Sequence, residues 1–313
     1  LCWGRNQEGQ VGNGSKAKSV VKPTPVENLS GAKAVSAGLF HTCALMSNSA
    51  VVCWGHNAYG QLGDGSKVAK TTPVNVKSLS GVKAIDCGQH HTCALKDNGS
   101  GVCWGHNPYG QLGDGTSKVD KTKPVTIKGL AGATVITAGV RHSCAVRKKS
   151  QQTLPSAVCW GYHANIVLGS GSKSNIHPSK VTVKNTAGVK AIAAGNSHTC
   201  AVNADSTISC WGYNDNGQLG DGAKGSQGVP AQINSPQAPT IACSDGDACT
   251  SGDGCKAGKC VAGGANKKCD DGNPCTKDSC DKAKGCVAPN LADKTACSAD
   301  GKKWCVAGKC VGK

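Results

Sequence analysis

Apolar and polar residues alternate in short runs along most of this chain, and no stretch places apolar residues at helical spacing. Two such runs, His41-Thr42-Cys43-Ala44-Leu45 and Val51-Val52-Cys53-Trp54, flank the polar tip Ser47-Asn48-Ser49. Short β-rich runs separated by a few turn residues predict a hairpin. Val35-Ser36-Ala37 leads into it, and Pro73-Val74-Asn75-Val76 alternates as an edge strand beginning after a proline would. Between them, Gly55 to Gly65 holds four glycines in eleven residues, which predicts a looped segment with several positive-φ positions. The unit therefore contains three or four short strands and no helix.

The unit is copied. Cys-Trp-Gly begins at Cys2, Cys53, Cys103, Cys159 and Cys210, in steps of 51, 50, 56 and 51 residues. A second word, Gly38-Leu39-Phe40-His41-Thr42-Cys43-Ala44, returns in phase at Gly88, Gly139 and Gly195. A period near 50 indicates a solenoid or a propeller, and four strands in about 40–50 residues is the make-up of a propeller blade.

Cysteine spacing sharpens the hairpin. Folding the chain about Asn48 sets Cys43 opposite Cys53, and the same spacing recurs in Cys93/Cys103 and Cys200/Cys210. Opposed residues of an antiparallel pair lie within disulfide reach, so these pairs and Cys144/Cys159 are expected to be bonded. Each such short loop contributes roughly 2–3 kcal/mol on the chain-entropy estimate. The third tip is longer by five residues and carries Arg147, Lys148 and Lys149.

Cys-Trp-Gly-x-Asn-x-x-Gly-Gln-Leu-Gly-Asp-Gly, then Pro-Val, then Ala-Gly-x-x-His-Thr-Cys-Ala-Leu, resembles the regulator-of-chromosome-condensation repeat family in its cysteine-bearing, secreted bacterial form. The resemblance covers about residues 1–236. It implies an all-β fold, a β-propeller with seven blades when intact, of which four full blades and a partial one are visible here. The chain opens in mid-repeat at Leu1-Cys2, and the expectation is that upstream blades precede it.

Composition constrains where and with what the chain works. It has 313 residues, 43 glycines, one phenylalanine and 21 cysteines. Heavy cysteine use at hairpin spacing argues for an oxidising compartment, so the expected location is extracellular or at the cell surface. No apolar run is long enough for a membrane span. The net charge of +16 comes almost entirely from lysine, with arginine only at Arg5, Arg141 and Arg147. Phosphate and base recognition lean on arginine forks, which argues against nucleic acid and for a protein, an acidic glycan or an anionic cell surface as partner.

A proline-rich stretch, residues 230–242, separates the repeats of residues 1–229 from a cysteine-rich region at 243–313. That region has eleven cysteines and almost no aliphatic residues, so disulfides must hold it. Asp245, Asp247, Asp270 and Asp271 stand in its glycine-rich turns and are candidates for calcium, though aspartate-glycine is also ordinary turn chemistry. No other cofactor is expected. Cys87 stands where the other repeats have alanine; it either pairs with the cysteine-rich region or is a buried free thiol.

Catalytic chemistry finds little support. His41, His91, His142 and His198 recur in every repeat, whereas a catalytic site is built once, so they are expected to be structural hydrogen-bonding groups. His41 with Cys43 and Cys53 could approach a zinc set, but four copies of it are less plausible than four disulfides. Trp54 and its equivalents are packing residues. The repeat breaks at Ile166-Val167, which replace Gly60-Gln61, and this aliphatic pair with the basic tip Arg147–Lys149 is the expected contact surface. The chain thus reads as a non-enzymatic extracellular binding or structural module, acting in adhesion, surface attachment or self-assembly. The alternatives are a secreted inhibitor of an enzyme and, with less support, a guanine-nucleotide exchange factor.

Overall fold

A computed structural model describes residues 1–148, 154–164, 166–172, 174–186 and 188–233, with short stretches between 250 and 312. The chain divides into two units, Leu1–Asn234 and Ser235–Lys313. No helix occurs among the described residues, and no apolar helix long enough to cross a membrane is found there.

The first unit is a β-propeller of four full blades and a partial one. The partial blade pairs β1 (Cys2–Arg5) with β2 (Ser19–Thr24). The first full blade is the antiparallel sheet β3 (Ala32–Ala37), β4 (His41–Met46), β5 (Val51–Gly55) and β6 (Lys70–Asn75), paired in that order. The second has β7 (Val82–Cys87), β8 (His91–Lys96), β9 (Gly101–Gly105) and β10 (Lys121–Thr126). The third has β11 (Ala133–Ala138), β12 (His142–Arg147), β13 (Ser156–Tyr162) and β14 (Ile176–Thr182). The fourth has β15 (Ala191–Ala194), β16 (His198–Val202), β17 (Ile208–Gly212) and β18 (Gln227–Gln232). First strands of successive blades face one another, and Gly38, Gly88, Gly139 and Gly195 keep the lining between them small.

Within each blade, register sets the disulfide. Cys43 lies directly opposite Cys53, and Cys93–Cys103, Cys144–Cys159 and Cys200–Cys210 repeat the arrangement, each with Cα atoms 4.0 to 4.1 Å apart. The neighbouring pair Thr42 and Trp54 puts the tryptophan on the blade surface, facing the preceding blade. Trp54, Trp104, Trp160 and Trp211 are fully buried. An aromatic side chain of this size removes about 150–250 Å² from water, on the order of 4–6 kcal/mol as an upper estimate. The ion pair Lys67–Asp120 is partly exposed and adds little, and Lys121–Asp114 is half-buried at 3.6 Å.

Blades are joined by one recurring hydrogen-bond pattern. Trp104 Nε1–H donates to the carbonyl of Gln61 at 2.8 Å, and Thr92 Oγ1–H donates to the same oxygen at 3.0 Å. The Gln10 carbonyl serves Trp54 and Thr42 in the same way, and the Gln111 carbonyl serves Trp160 and Ser143. The glycine two residues after each carbonyl seats the tryptophan. At Gly63 (φ +69°) an added Cβ would lie 2.8 Å from Trp104 Nε1, and at Gly113 (φ +70°) 2.7 Å from Trp160 Nε1. The fourth joint is weaker. Thr199 reaches the Val167 carbonyl at 3.3 Å, but Trp211 Nε1 has no partner.

The repeated histidines extend this pattern. His41 Nε2 meets Thr92 Oγ1 of the next blade at 2.9 Å, His91 meets Ser143 at 2.9 Å and His142 meets Thr199 at 3.0 Å. Thr92 gives its single hydroxyl proton to Gln61, so toward His41 it accepts. His41 therefore carries its proton on Nε2, and its Nδ1 lone pair is buried without a partner, as is that of His91. A second proton would be a buried, unpaired charge. Burial, with smaller contributions from neighbouring histidines, pushes His41, His91 and His142 from the ordinary 6.5 down to about 3. Asp86 adds a tie between inner strands. Its carboxylate accepts from Ser36 Oγ and the Cys87 amide on one oxygen, and from Thr137 Oγ1 and the Ala138 amide on the other.

The second unit is made of short strand pairs. Backbone register sets Cys255 opposite Cys260, Cys280 opposite Cys286 and Cys305 opposite Cys310. Cys297 and Cys310 are bonded, and Cys305 is also in a disulfide.

Two predictions follow from the joints between blades. Gly63→Ala forces a side chain against Trp104, whereas Gly217→Ala, at φ +77° with open space around it, strains only the backbone. Urea denaturation should show Gly63→Ala less stable than Gly217→Ala by roughly 1–3 kcal/mol; equal losses would refute the seat. Acidification tests the histidines. Between about pH 6.5 and about pH 3 the unfolded chain holds protons that the folded chain refuses, so stability is complete above this window and falls as pH drops through it. The slope is about 1.4 kcal/mol per pH unit for each histidine. His91→Gln should flatten it, and a urea midpoint unchanged on acidification would refute this account.

Candidate functional site

Loops of successive blades meet on one face of the propeller, at the start of each second strand and the end of each third. Three positions per repeat converge there: the residue after Cys-Trp-Gly, the residue before the repeated histidine, and the residue before the Gly-Gln pair. In the partial blade and the first three full blades these include Arg5, His56, His106 and Tyr162; Phe40, His90 and Arg141; and Tyr59 and Tyr109, with Glu8 in the partial blade. Their rings form a band. Phe40 lies 5.9 Å from His90, His90 lies 5.1 Å from Tyr59, and Tyr59 lies 4.1 Å from His106. His56 fills the middle, 5.8 Å from His90 and 5.9 Å from Tyr59. Arg5 caps one end, 4.7 Å above the Phe40 ring. Beyond His106, Arg141 stands 5.3 Å from Tyr109 and 5.7 Å from Tyr162, whose rings are 4.7 Å apart.

Backbone bonds fix these positions. The Phe40 carbonyl accepts from the His56 amide, the His90 carbonyl from the His106 amide, and the Arg141 carbonyl from the Tyr162 amide. Gly55, at φ +104°, turns the chain out of β5 where the β5–β6 ladder slips between Cys53 and Gly55. Below the loop, Asn57 Oδ1 accepts from the Leu62 amide and its Nδ2 donates to Asp64 and Ser66. Gln61 holds the loop from within, its Oε1 accepting from the Tyr59 amide and its Nε2 meeting His56 Nδ1 at 2.7 Å.

The band carries less charge than its composition suggests. Partial burial, with the repulsion of His56 and His106, lowers His90 to about 4. His106 is lowered mainly by burial and further by Arg141 and Lys67, against the pull of Asp120. Burial therefore disfavours charge on His90 and His106, and Arg5 and Arg141 stand at the ends of the ring contacts.

The expected contact surface is not assembled. Arg147 ends β12 opposite Ser156, while Tyr162 and the loop of Ile166-Val167 lie at the other end of the blade. The basic tip and the aliphatic pair are thus on opposite faces. Arg147 is 8% exposed and donates to the Gly129 carbonyl at 3.4 Å, Lys148 is exposed, and Lys149 lies outside the described residues. Val167 is 2% exposed and packs in the core between the third and fourth blades, while Ile166 is half-buried at φ +51°. The loop keeps its shape because His163 replaces the asparagine: its Nδ1 accepts from the Leu168 amide and its Nε2 donates to the Ser172 carbonyl.

Metal chemistry is no better supplied. Ligand atoms of His41, Cys43 and Cys87 lie within 4.8 Å of one another, but Cys43 is spent in its disulfide. Cys87 is a free, buried thiol, pushed up to about 12 by burial and by Asp86, and so is unreactive. Asp245, Asp247, Asp270 and Asp271, named above for calcium, lie outside the described residues.

The band escapes a sequence reading because it joins residues of different blades, such as Phe40 with His90 and Tyr109 with Tyr162, that vary in type. The signal available was that the residue after each Cys-Trp-Gly changes between repeats yet stays aromatic, histidine or arginine, as Arg5, His56, His106, Tyr162 and Tyr213.

Comparisons with known proteins agree with this architecture. The Regulator of chromosome condensation (RCC1) repeat matches residues 1–45, 50–95, 103–146, 159–202 and 208–250. A Dictyostelium (slime mold) repeat matches residues 268–288. The ultraviolet-B receptor UVR8 of Arabidopsis thaliana is 31% identical over 237 residues, 75% of this chain and 41% of the receptor. The human E3 ubiquitin-protein ligase HERC2 is 30% identical over 255 residues, 77% of this chain and 5% of the ligase. The chain therefore spans less than half the length of these relatives. Among solved structures, human WBSCR16 superposes with a TM-score of 0.64 at 22% identity, covering 74% of this chain and 60% of that one. Yeast RCC1 (Prp20), in a complex with Kap60, gives 0.61 at 23% identity over 70% of this chain and 53% of that one. Blade architecture, repeated words and family match together place this chain in the RCC1 repeat family of β-propellers.

Proposed function

We propose that this chain is a non-enzymatic extracellular module that binds a partner protein through the aromatic face of its propeller. The observation that carries the reading is the band from Arg5 through Phe40, His90 and Tyr59 to His106, continued by Arg141, Tyr109 and Tyr162. Tyrosine and arginine are the residue types that dominate binding energy at protein interfaces, and rigid rings lose little entropy on contact. Backbone hydrogen bonds hold these side chains in place before any partner arrives, which lowers the cost of association.

A protein partner is also the class reported for relatives of the same fold. A structure of yeast Prp20p is described with its binding to Gsp1p and histones, and another holds Kap60. An extracellular setting is supported by four disulfides, one per full blade, with both cysteines buried in the first three and Cys200 half-buried in the fourth. The lysine-rich net charge of +16 favours an acidic partner and speeds encounter with one. Adhesion or assembly on a cell surface is the setting that joins these features.

Quantitative capture from the extracellular and surface fractions of the producing cells tests this reading. The Phe40→Ala/Tyr59→Ala variant, with an unchanged melting temperature, should lose the captured partner by about tenfold or more. Lys190→Ala, on another part of the propeller, should capture as the parent does. Equal capture by all three proteins, or specific turnover by the purified chain, would overturn it.

A further inference from the structure

Arg141 differs from the other arginines of the chain. Arg147 is buried against a backbone carbonyl, and Arg5 lies on a single ring. Arg141 stands beside two rings, Tyr109 and Tyr162, and its backbone carbonyl is tied to the Tyr162 amide. Its guanidinium makes no hydrogen bond or ion pair to any described residue. Such an arginine keeps its fork of donors free while its orientation is held.

The group faces a cleft of about 330 Å³, lined with it by Gln89, Tyr162, Asn196 and Ser197 and by no acidic residue. Ser197 Oγ–H donates to Asn196 Oδ1 at 3.1 Å, which leaves the Asn196 amide protons uncommitted. The Gln89 side chain likewise has no partner among the described residues. The nearby carboxylate of the inner strands, Asp86, is already occupied by four donors. Positive charge and amide donors therefore converge on a small cleft with no carboxylate of its own to neutralise the guanidinium.

We propose that this cleft is a socket for one carboxylate, an exposed aspartate or glutamate side chain of a partner protein, received by the Arg141 fork and assisted by the Gln89 and Asn196 amides. A planar guanidinium grips a carboxylate through two parallel bonds, which a lysine cannot reproduce. The protein source follows from continuity: the socket adjoins the ring band, and bulky anchors beside a specific ion pair make up the centre of a protein interface. This inference rests on the protein-binding reading above.

Fluorescence anisotropy with a labelled glutamate-rich peptide, at about 150 mM salt to screen the surface lysines, tests it. The peptide should bind, its glutamine counterpart should not, and free glutarate should compete. Arg141→Gln should weaken binding about tenfold and Arg141→Lys severalfold, while Lys123→Gln on the outer strand should change it less than twofold. Arg141→Gln behaving like Lys123→Gln would overturn the socket. So would Arg141-dependent binding of an oligogalacturonate more tightly than the peptide, which would make the source a glycan. Cellular capture that needs Phe40 but not Arg141 would overturn the socket and leave the protein-binding reading standing.

Discussion

One backbone carbonyl per blade holds this propeller together. At Gln10, Gln61 and Gln111 it accepts both an indole N–H and a hydroxyl from the next blade. The hydroxyl in turn accepts from the preceding blade's histidine. Four requirements of the repeat follow from this joint. The tryptophan must reach across, a threonine or serine must stand opposite it, the histidine must be neutral, and the residue two after the carbonyl must be glycine. Each blade is too small to bury much apolar surface by itself, so its stability comes from the neighbour. The disulfide inside each blade and the joint between blades are complementary, one fixing the hairpin and the other fixing its position.

How much of this was readable in the sequence depends on distance along the chain. The hairpins and their disulfides lie within ten to fifteen residues, so spacing alone opposes the cysteines. The repeated histidine was recognised as structural because it recurs, but its partner is more than 50 residues away in the next blade and could not be named. Ile166-Val167 was misread for a related reason. At this loop position the backbone carbonyl does the joining and the side chain points inward, so exchanging glutamine for valine deepens the core instead of exposing an apolar pair. Arg147 was misread because the strand β12 runs further than the tip was expected to allow. The ring band combines positions 5, 40, 56, 59, 90 and 106, which topology interleaves and no local pattern announces.

The same construction explains why the loop face is available for binding. The joint uses the backbone of each loop and leaves the flanking side chains at the surface. Those positions vary between repeats while the words around them do not, so the scaffold sets where side chains stand and local substitution sets what they are. Histidines serve both layers in different ways. The buried set is part of the joint, while His56, His90 and His106 contribute rings to a face whose permanent charges are Arg5 and Arg141.

Hydrogen exchange of the tryptophan indole protons tests the joint most directly. Trp54, Trp104 and Trp160 donate to a carbonyl, Trp211 is equally buried without an acceptor, and Trp3 is exposed. The account predicts slow exchange at the first three, faster exchange at Trp211 by about tenfold or more, and free exchange at Trp3. Trp211 protected as strongly as Trp104, or Trp104 exchanging as fast as Trp3, would contradict the claim that the shared carbonyl holds the blades together.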